Sequence, residues 1–398
     1  MKTRVFPTLF VLLLAVGAFV PSGGAASQSP TLSLHGKRLR WTAVEASRSY
    51  KLLARTAVRE KISTVRGRSI VPPIRPGETV IYRVKAYAGT SPWSNAVSVT
   101  YPPAGKEPGE ESSPPLTVGV NAGGWGGSAF ADIAHAVKSV RLEARFASDA
   151  EVGAAAAAHV RVGTWLLGGG GSIAAIDPAT YASEVVTLFK RYGKGGTFWK
   201  GRADLGGQAV EILNEPGNPY FWKDAETAQG HYIAIVKAVQ SAVAAAFPAS
   251  LRPTLLVSYD GGFAGDTYGE SLTAMEPNLF KLEGVRPDVH PYGGHGSNSA
   301  LGGRDRVTIA HADTGLPVYV TEVGWPTAAS QPATGDSLQW TEAQQANNIV
   351  EFVRWSRSLK YVATVDVFDY IDYGSNDWYG IERRDRSHKL AFAALAGA

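Results

Sequence analysis

Two acidic residues stand in closely similar settings far apart in the chain. Glu215 lies in "EILNEPGNPYFW" (211–222), where an apolar run ends in Asn214-Glu215-Pro216 and continues into Tyr220, Phe221 and Trp222. Glu322 lies in "VYVTEVGWPT" (318–327), again a β-branched run that meets a carboxylate and then an aromatic residue. Two carboxylates facing each other across a site suit cleavage of a glycosidic bond, in which one protonates the leaving oxygen and the other attacks the anomeric carbon. The two tasks need different pKa values. A positive charge from Arg141 or Arg145, with a hydrogen bond from Tyr292, would hold Glu322 ionised, and the apolar and aromatic neighbours of Glu215 would keep it protonated. Asn214 is a candidate for the sugar 2-hydroxyl, a contact that strengthens in the transition state. His290 is either a site residue or a satisfied structural histidine. Trp222 and Trp325, with Trp125 and Trp165, are divided between sugar platforms and core. Asp260, Asp366, Asp369 and Asp372 read as ordinary loop or strand-end acids.

For these side chains to meet, the chain must bring distant strand ends together. From residue 116 onward it reads as strand, loop and helix in repetition. Eight strands are expected at 116–124, 139–146, 160–167, 209–216, 254–262, 285–294, 317–325 and 362–371. Between them, Ser148 with Glu151 and Thr341 with Gln344 read as capping boxes, and Asp177-Pro178 as a helix start. Eight such units in roughly 280 residues fit a (β/α)8 TIM barrel, whose strand C-termini converge on one face. A doubly wound open sheet is the alternative, but no Gly-rich phosphate loop follows an early strand. "GGGG" at 168–171 lacks the Lys of a phosphate cradle and reads as a flexible loop.

The 398 residues exceed one average domain, and 44% hydrophobic with 19% charged residues describes a globular chain. Lys2 and Arg4, an apolar run over 6–20 and small residues to Ala26 have the layout of a secretory signal peptide over 1–26, so the chain is expected to be secreted. A retained anchor is the competing reading, though the run is short for a span. With no cysteine, disulfides and thiolate chemistry are excluded. No metal or other cofactor, no nucleic-acid partner and no membrane span after processing are expected. Residues 31–101 alternate apolar and polar residues in short runs split by Gly and Pro, which implies a small all-β sandwich. That segment carries 13 basic and three acidic residues, a formal +10. Without it and without Lys2 and Arg4, the chain holds 24 basic and 32 acidic residues, a formal −8. The basic module is either an attachment to anionic cell-surface polymer or a spacer with a solvated basic face. Residues 102–115, rich in Pro, Gly, Ser and Glu, read as a linker before the barrel domain at 116–398.

Asn214-Glu215-Pro216 on the fourth barrel strand and Thr321-Glu322-x-Gly324-Trp325 on the seventh are similar to the signatures of clan A retaining glycoside hydrolases. His290-Pro291-Tyr292 resembles that clan's sixth-strand His-x-Tyr, and Arg141 its second-strand Arg. "RYGKGGTFW" before "VEILNEPGNPYFW" and the C-terminal "YGIERRDRSHKLAFAAL" resemble bacterial members near families 39 and 5, and "EVGWPT" is similar to family 17. The resemblance implies Glu215 as acid/base, Glu322 as nucleophile and a β-linked oligo- or polysaccharide as substrate. Two departures stand out: Phe368, Tyr370 and Tyr373 lie where many members carry an eighth-strand Trp, and no His-Asn pair follows the third strand. "YRVKAYAGTSPWSNAVSVTY" (82–101) is similar to the last two strands of a fibronectin type III module. A catalytically silent carbohydrate-binding protein and a transglycosylase would carry the same residues.

Overall fold

A computed structural model describes residues 29–100, except 36–37, 45–46, 48, 57–59, 71, 73–78 and 88–90, and residues 115–398, except 124–126, 263–267, 293–302, 328–339 and 374–377. The expected signal peptide, nearly all of the expected linker, and Trp125 lie outside the described residues. The chain divides into two compact units, Met1–Ala104 and Gly105–Ala398.

In the first unit, β1 (Leu32–His35), β2 (Arg38–Trp41) and β5 (Ser69–Ile70) form one antiparallel sheet. A second antiparallel sheet has the order β4 (Glu60–Arg66), β3 (Ser49–Arg55), β6 (Thr79–Ala86), β7 (Val97–Thr100). Their inward residues share one core, including Leu39, Trp41, Tyr50, Val80 and Tyr82. Trp41 meets Tyr50 edge to face at 5.5 Å, the offset geometry that the ring quadrupoles favour.

The second unit is a closed barrel of eight parallel strands, as the spacing of strands and helices predicts. They are β8 (Thr117–Ala122), β9 (Ser139–Glu143), β10 (Arg161–Leu167), β11 (Ala209–Ile212), β12 (Thr254–Ser258), β13 (Val285–Val289), β14 (Val318–Val323) and β15 (Val362–Val367). Barrel strands are covered on both faces, so they read as continuous β-branched runs, and all six residues of β15 are buried. Among the described residues the helices are α1 (Gly127–Ala136), α2 (Asp149–Ala157), α3 (Pro178–Tyr192), α4 (Gln229–Ala246), α5 (Tyr268–Met275), α6 (Arg304–Thr314), α7 (Glu342–Ser358) and α8 (Leu390–Ala396). On α3, Tyr181, Val185, Leu188, Phe189 and Tyr192 recur at helical spacing and are buried. Asp177 caps α3 ahead of Pro178, and Thr341 with Gln344 forms a full capping box on α7. Ser148 accepts from the Glu151 amide, but its own backbone N–H makes no return donation to the Glu151 carboxylate, so α2 has a simple cap instead of a box. None of the helices among the described residues is long and apolar enough to cross a membrane.

The strands are shorter than the sequence suggests, because their last residues leave the ladder to build the face at the strands' C-terminal ends. Residues 144–146 form a 3-10 turn after β9, and β11 stops at Ile212. Glu215 therefore sits on a turn beyond its strand, whereas Glu322 lies within β14.

Candidate active site

Arg141 of β9 is buried at the centre of the site. Its Nε and Nη2 lie 2.6 and 2.8 Å from the two carboxylate oxygens of Glu211, and Nη2 also donates to Asn214 Oδ1 at 2.9 Å. Its Nη1 reaches Asn121 Oδ1 at 2.5 Å and Glu322 Oε1 at 2.8 Å. The bidentate fork onto a buried carboxylate is the strong form of this ion pair. Burial opposes the guanidinium's charge, but Glu211 and Glu322 hold its pKa well above the ordinary value. Burial also disfavours an ionised Glu211, yet Arg141 and His290 bring it down to about 2.

Arg145, the other candidate, lies on the 3-10 turn after β9, is exposed and pairs with Glu143. Glu211 itself was visible only as a charge inside the otherwise apolar "AVEI", a pattern that marks a buried, paired acid.

Glu322 receives two donors, Arg141 on Oε1 and the Tyr292 hydroxyl on Oε2 at 2.7 Å. Glu215 receives the Asn218 amide on Oε2 at 2.5 Å and faces His290 Nδ1 at 2.9 Å through Oε1. His290 lies between the two acids, its Nδ1 3.6 Å from Glu322 Oε2. One carboxylate oxygen each of Glu215 and Glu322 and a ring nitrogen of His290 all fall within 4.8 Å of one another. The His290 backbone donates to Asp260, and its Nε2 lies 3.0 Å from the Thr321 hydroxyl, which in turn donates to Asp288. With its proton given to Asp288, that hydroxyl accepts from Nε2–H, which turns Nδ1 toward Glu215.

Backbone geometry aims Glu215. Leu213 and Glu215 have φ of 61° and 43°, left-handed values that non-glycine residues seldom hold. Such conformations cluster where a side chain must point against the run of the chain. Gly262, at φ +70°, makes the room, since a Cβ there would come within 2.5 Å of three Glu215 side-chain atoms.

The charge polarity differs from the sequence expectation. Burial raises the Glu215 carboxyl, but hydrogen bonding and charge from His290, with Asn218, outweigh it and hold the pKa below the ordinary value. Burial raises Glu322 above its ordinary range, against His290 and Arg141. Burial lowers His290, and the surrounding carboxylates, Glu322 first, lift it well above the ordinary imidazole value. The cause of the reversal is His290, which hydrogen-bonds Glu215 more closely than Glu322.

Trp222 and Trp325 are not sugar platforms. Both are buried, at 1% and 2% exposure, and Trp165 is wholly inaccessible. Trp222 donates its indole N–H to the Asn214 carbonyl at 2.7 Å, and Trp325 meets Phe352 edge to face. A cleft of about 930 Å3 that reaches Glu322 is lined instead by Phe146, Phe221, Phe368 and Tyr373, together with Arg141 and Asn214. Phe368, half-buried after β15, meets Tyr292 edge to face and takes the place expected of an eighth-strand aromatic. Tyr370 is buried. Asp260 and Asp366 are not loop acids in solvent: each is 1% exposed, the first bonded to His290 and Arg306, the second inside the barrel.

No family model matches the chain, and no curated protein matches it. Solved structures with a similar barrel include a β-D-glucuronidase from Dictyoglomus thermophilum, with 10% identity and a TM-score of 0.49 over 93% of this chain and 67% of that one. A family 39 glycoside hydrolase from Bacteroides cellulosilyticus WH2 has 17% identity and a TM-score of 0.48, over 92% of this chain and 78% of that one. A β-glucuronidase from Ruminococcus gnavus, bound to a C6-substituted uronic isofagomine, has 12% identity and a TM-score of 0.49, over 93% and 67%. None shares enough sequence to carry its substrate over to this chain.

Proposed function

We propose that the chain is a secreted glycoside hydrolase that cleaves β-linked glycans with retention, Glu215 acting as acid/base and Glu322 as nucleophile. The observation that carries this reading is the approach of Glu215 and Glu322 oxygens to within 4.8 Å, each carboxylate oriented by its own donors. Retaining sites hold their carboxyl groups about 5–5.5 Å apart, and inverting sites about 6.5–9.5 Å, to admit a water.

The chemistry follows from the contacts. As the glycosidic bond lengthens, positive charge grows on the anomeric carbon, and Glu322, steadied by Arg141 and Tyr292, closes on it. The leaving oxygen takes its proton from Glu215, which draws on His290 Nδ1 across their 2.9 Å contact. Water then enters, Glu215 removes its proton, and the glycosyl–Glu322 ester is broken with the anomeric configuration restored. Asn214, whose Oδ1 is fixed by Arg141, lines the cleft and presents its amide to the sugar 2-hydroxyl. The N-terminal unit, with its sheet orders β1-β2-β5 and β4-β3-β6-β7, supports a fibronectin type III-like module.

Glu322→Ala should lose nearly all turnover of a chromogenic β-glycoside and regain it with azide, releasing an α-glycosyl azide. Full activity without azide, or rescue giving the β-azide, would sink the assignment.

A further inference from the structure

The four-stranded sheet of the N-terminal unit turns one face to its core and the other to solvent. Strand alternation sends Tyr50, Leu52, Val80, Tyr82 and Val84 inward. It therefore sends Lys51, Arg55, Ile81, Arg83 and Lys85 outward. The register sets Lys51 directly opposite Lys85 and Arg83 opposite Leu53. On the far side Ile62 faces Leu53 and Arg66 faces Ser49, on the same outer surface.

Like charges directly across a sheet repel, so the Lys51–Lys85 pair weakens the fold that carries it. Among the described residues, none of Lys51, Arg66, Arg83 and Lys85 is ion-paired, and the one acid in these strands, Glu60, lies 3.8 Å from Arg55. The cations alternate with apolar surface: Ile62, Ile81 and Tyr87 are 53%, 41% and 53% exposed. Lys51 Nζ stands 5.3 Å from the Tyr87 ring centroid, and Lys85 Nζ 5.0 Å from that of Trp93.

We propose that this face docks a carboxylated polysaccharide, a polyuronate. Its carboxylates would meet Lys51, Lys85 and the forks of Arg66 and Arg83, and its sugar faces the Tyr87 and Trp93 rings. A compact polyanion would use the cations and leave the rings and isoleucines idle; a uronate polymer, anionic and apolar by turns, matches both. The choice of a glycan rests on the glycosidase reading of the barrel unit. The acidic remainder of the chain repels such a polymer, so capture falls to this face.

The test is affinity electrophoresis of the full chain through gels holding polygalacturonate, a neutral β-1,3-glucan, long-chain polyphosphate or single-stranded DNA. Polygalacturonate should retard the chain most, the glucan not at all, and added salt should release it. Lys85→Glu should weaken retardation about tenfold, and Arg83→Glu similarly. Lys85→Glu also places an acid opposite Lys51, so its unfolding midpoint should stay level or rise, which separates lost binding from lost folding. Tyr87→Ala should reduce retardation by polygalacturonate but not by polyphosphate. Unchanged retardation in both charge variants, or equal retardation by DNA or polyphosphate, overturns the proposal. Because only binding is read, these outcomes are independent of whether the barrel turns over any glycan.

Discussion

Asp366 offers a prediction whose size can be worked out in advance. It lies on β15 inside the barrel, 1% exposed, and neither carboxyl oxygen has a hydrogen-bond partner among the described residues. Gly119 leaves it room, since a Cβ there would come within 2.1 Å of its Oδ1. Burial, then Glu211 and Glu322, raise its pKa to about 8 from an ordinary 3.8, against the pull of Arg141. Between those values the folded chain keeps the proton and the unfolded chain has lost it. Folding then takes up a proton, so the stability this group contributes is whole below about pH 4 and is lost as pH rises toward about 8. Each pH unit costs about 1.4 kcal/mol, and about four units give a ceiling near 6 kcal/mol. Asp366→Asn keeps the shape and removes the titration. Urea unfolding of the barrel, followed by Trp fluorescence at pH 5, 6, 7 and 8, should show the variant's advantage growing by about 1 kcal/mol per unit. A constant offset from the unbonded amide does not disturb that slope. A difference flat with pH, or one that shrinks toward pH 8, would refute the argument.

Two further predictions concern the acids. Tyr292→Phe removes one of two donors to Glu322, so the acid limb of kcat/KM should move to higher pH by roughly half a unit to one unit, read from a pH–rate profile. An unmoved limb would mean that the hydroxyl does not support the ionised carboxylate. Gly262→Ala should displace Glu215, cutting kcat by about 10²-fold with little change in KM, because the clash falls on the acid and not on the cleft walls.

The barrel was legible because its strands are β-branched runs followed by helix starts such as Asp177-Pro178, and that periodicity owes nothing to distant contacts. The convergence of Arg141, Asn214, His290 and Tyr292 was legible because their position beside a strand end already fixes where they meet. What escaped was whatever depends on depth. Trp222 and Trp325 follow the acids in sequence, yet nothing local tells whether a ring faces a cleft or a helix. Glu211 and Asp366 alternate inward within apolar strands, and their significance rests on partners 70 or more residues away, or on having none. The polarity of the two catalytic candidates was misjudged for the same reason, since His290 decides it from another strand.

Asn121 carries one more consequence. It sits on the first barrel strand, donates to the carbonyl of Thr321 at 3.0 Å, and holds the Arg141 that holds Glu322. The hydrogen bond spans 200 residues, and β8 itself pairs with β15, the last strand to be synthesised. A nascent chain that stops between Val323 and Val362 therefore has both acids but no closed ring to bring them face to face. Competence arrives with closure, as a single event late in the life of the growing chain.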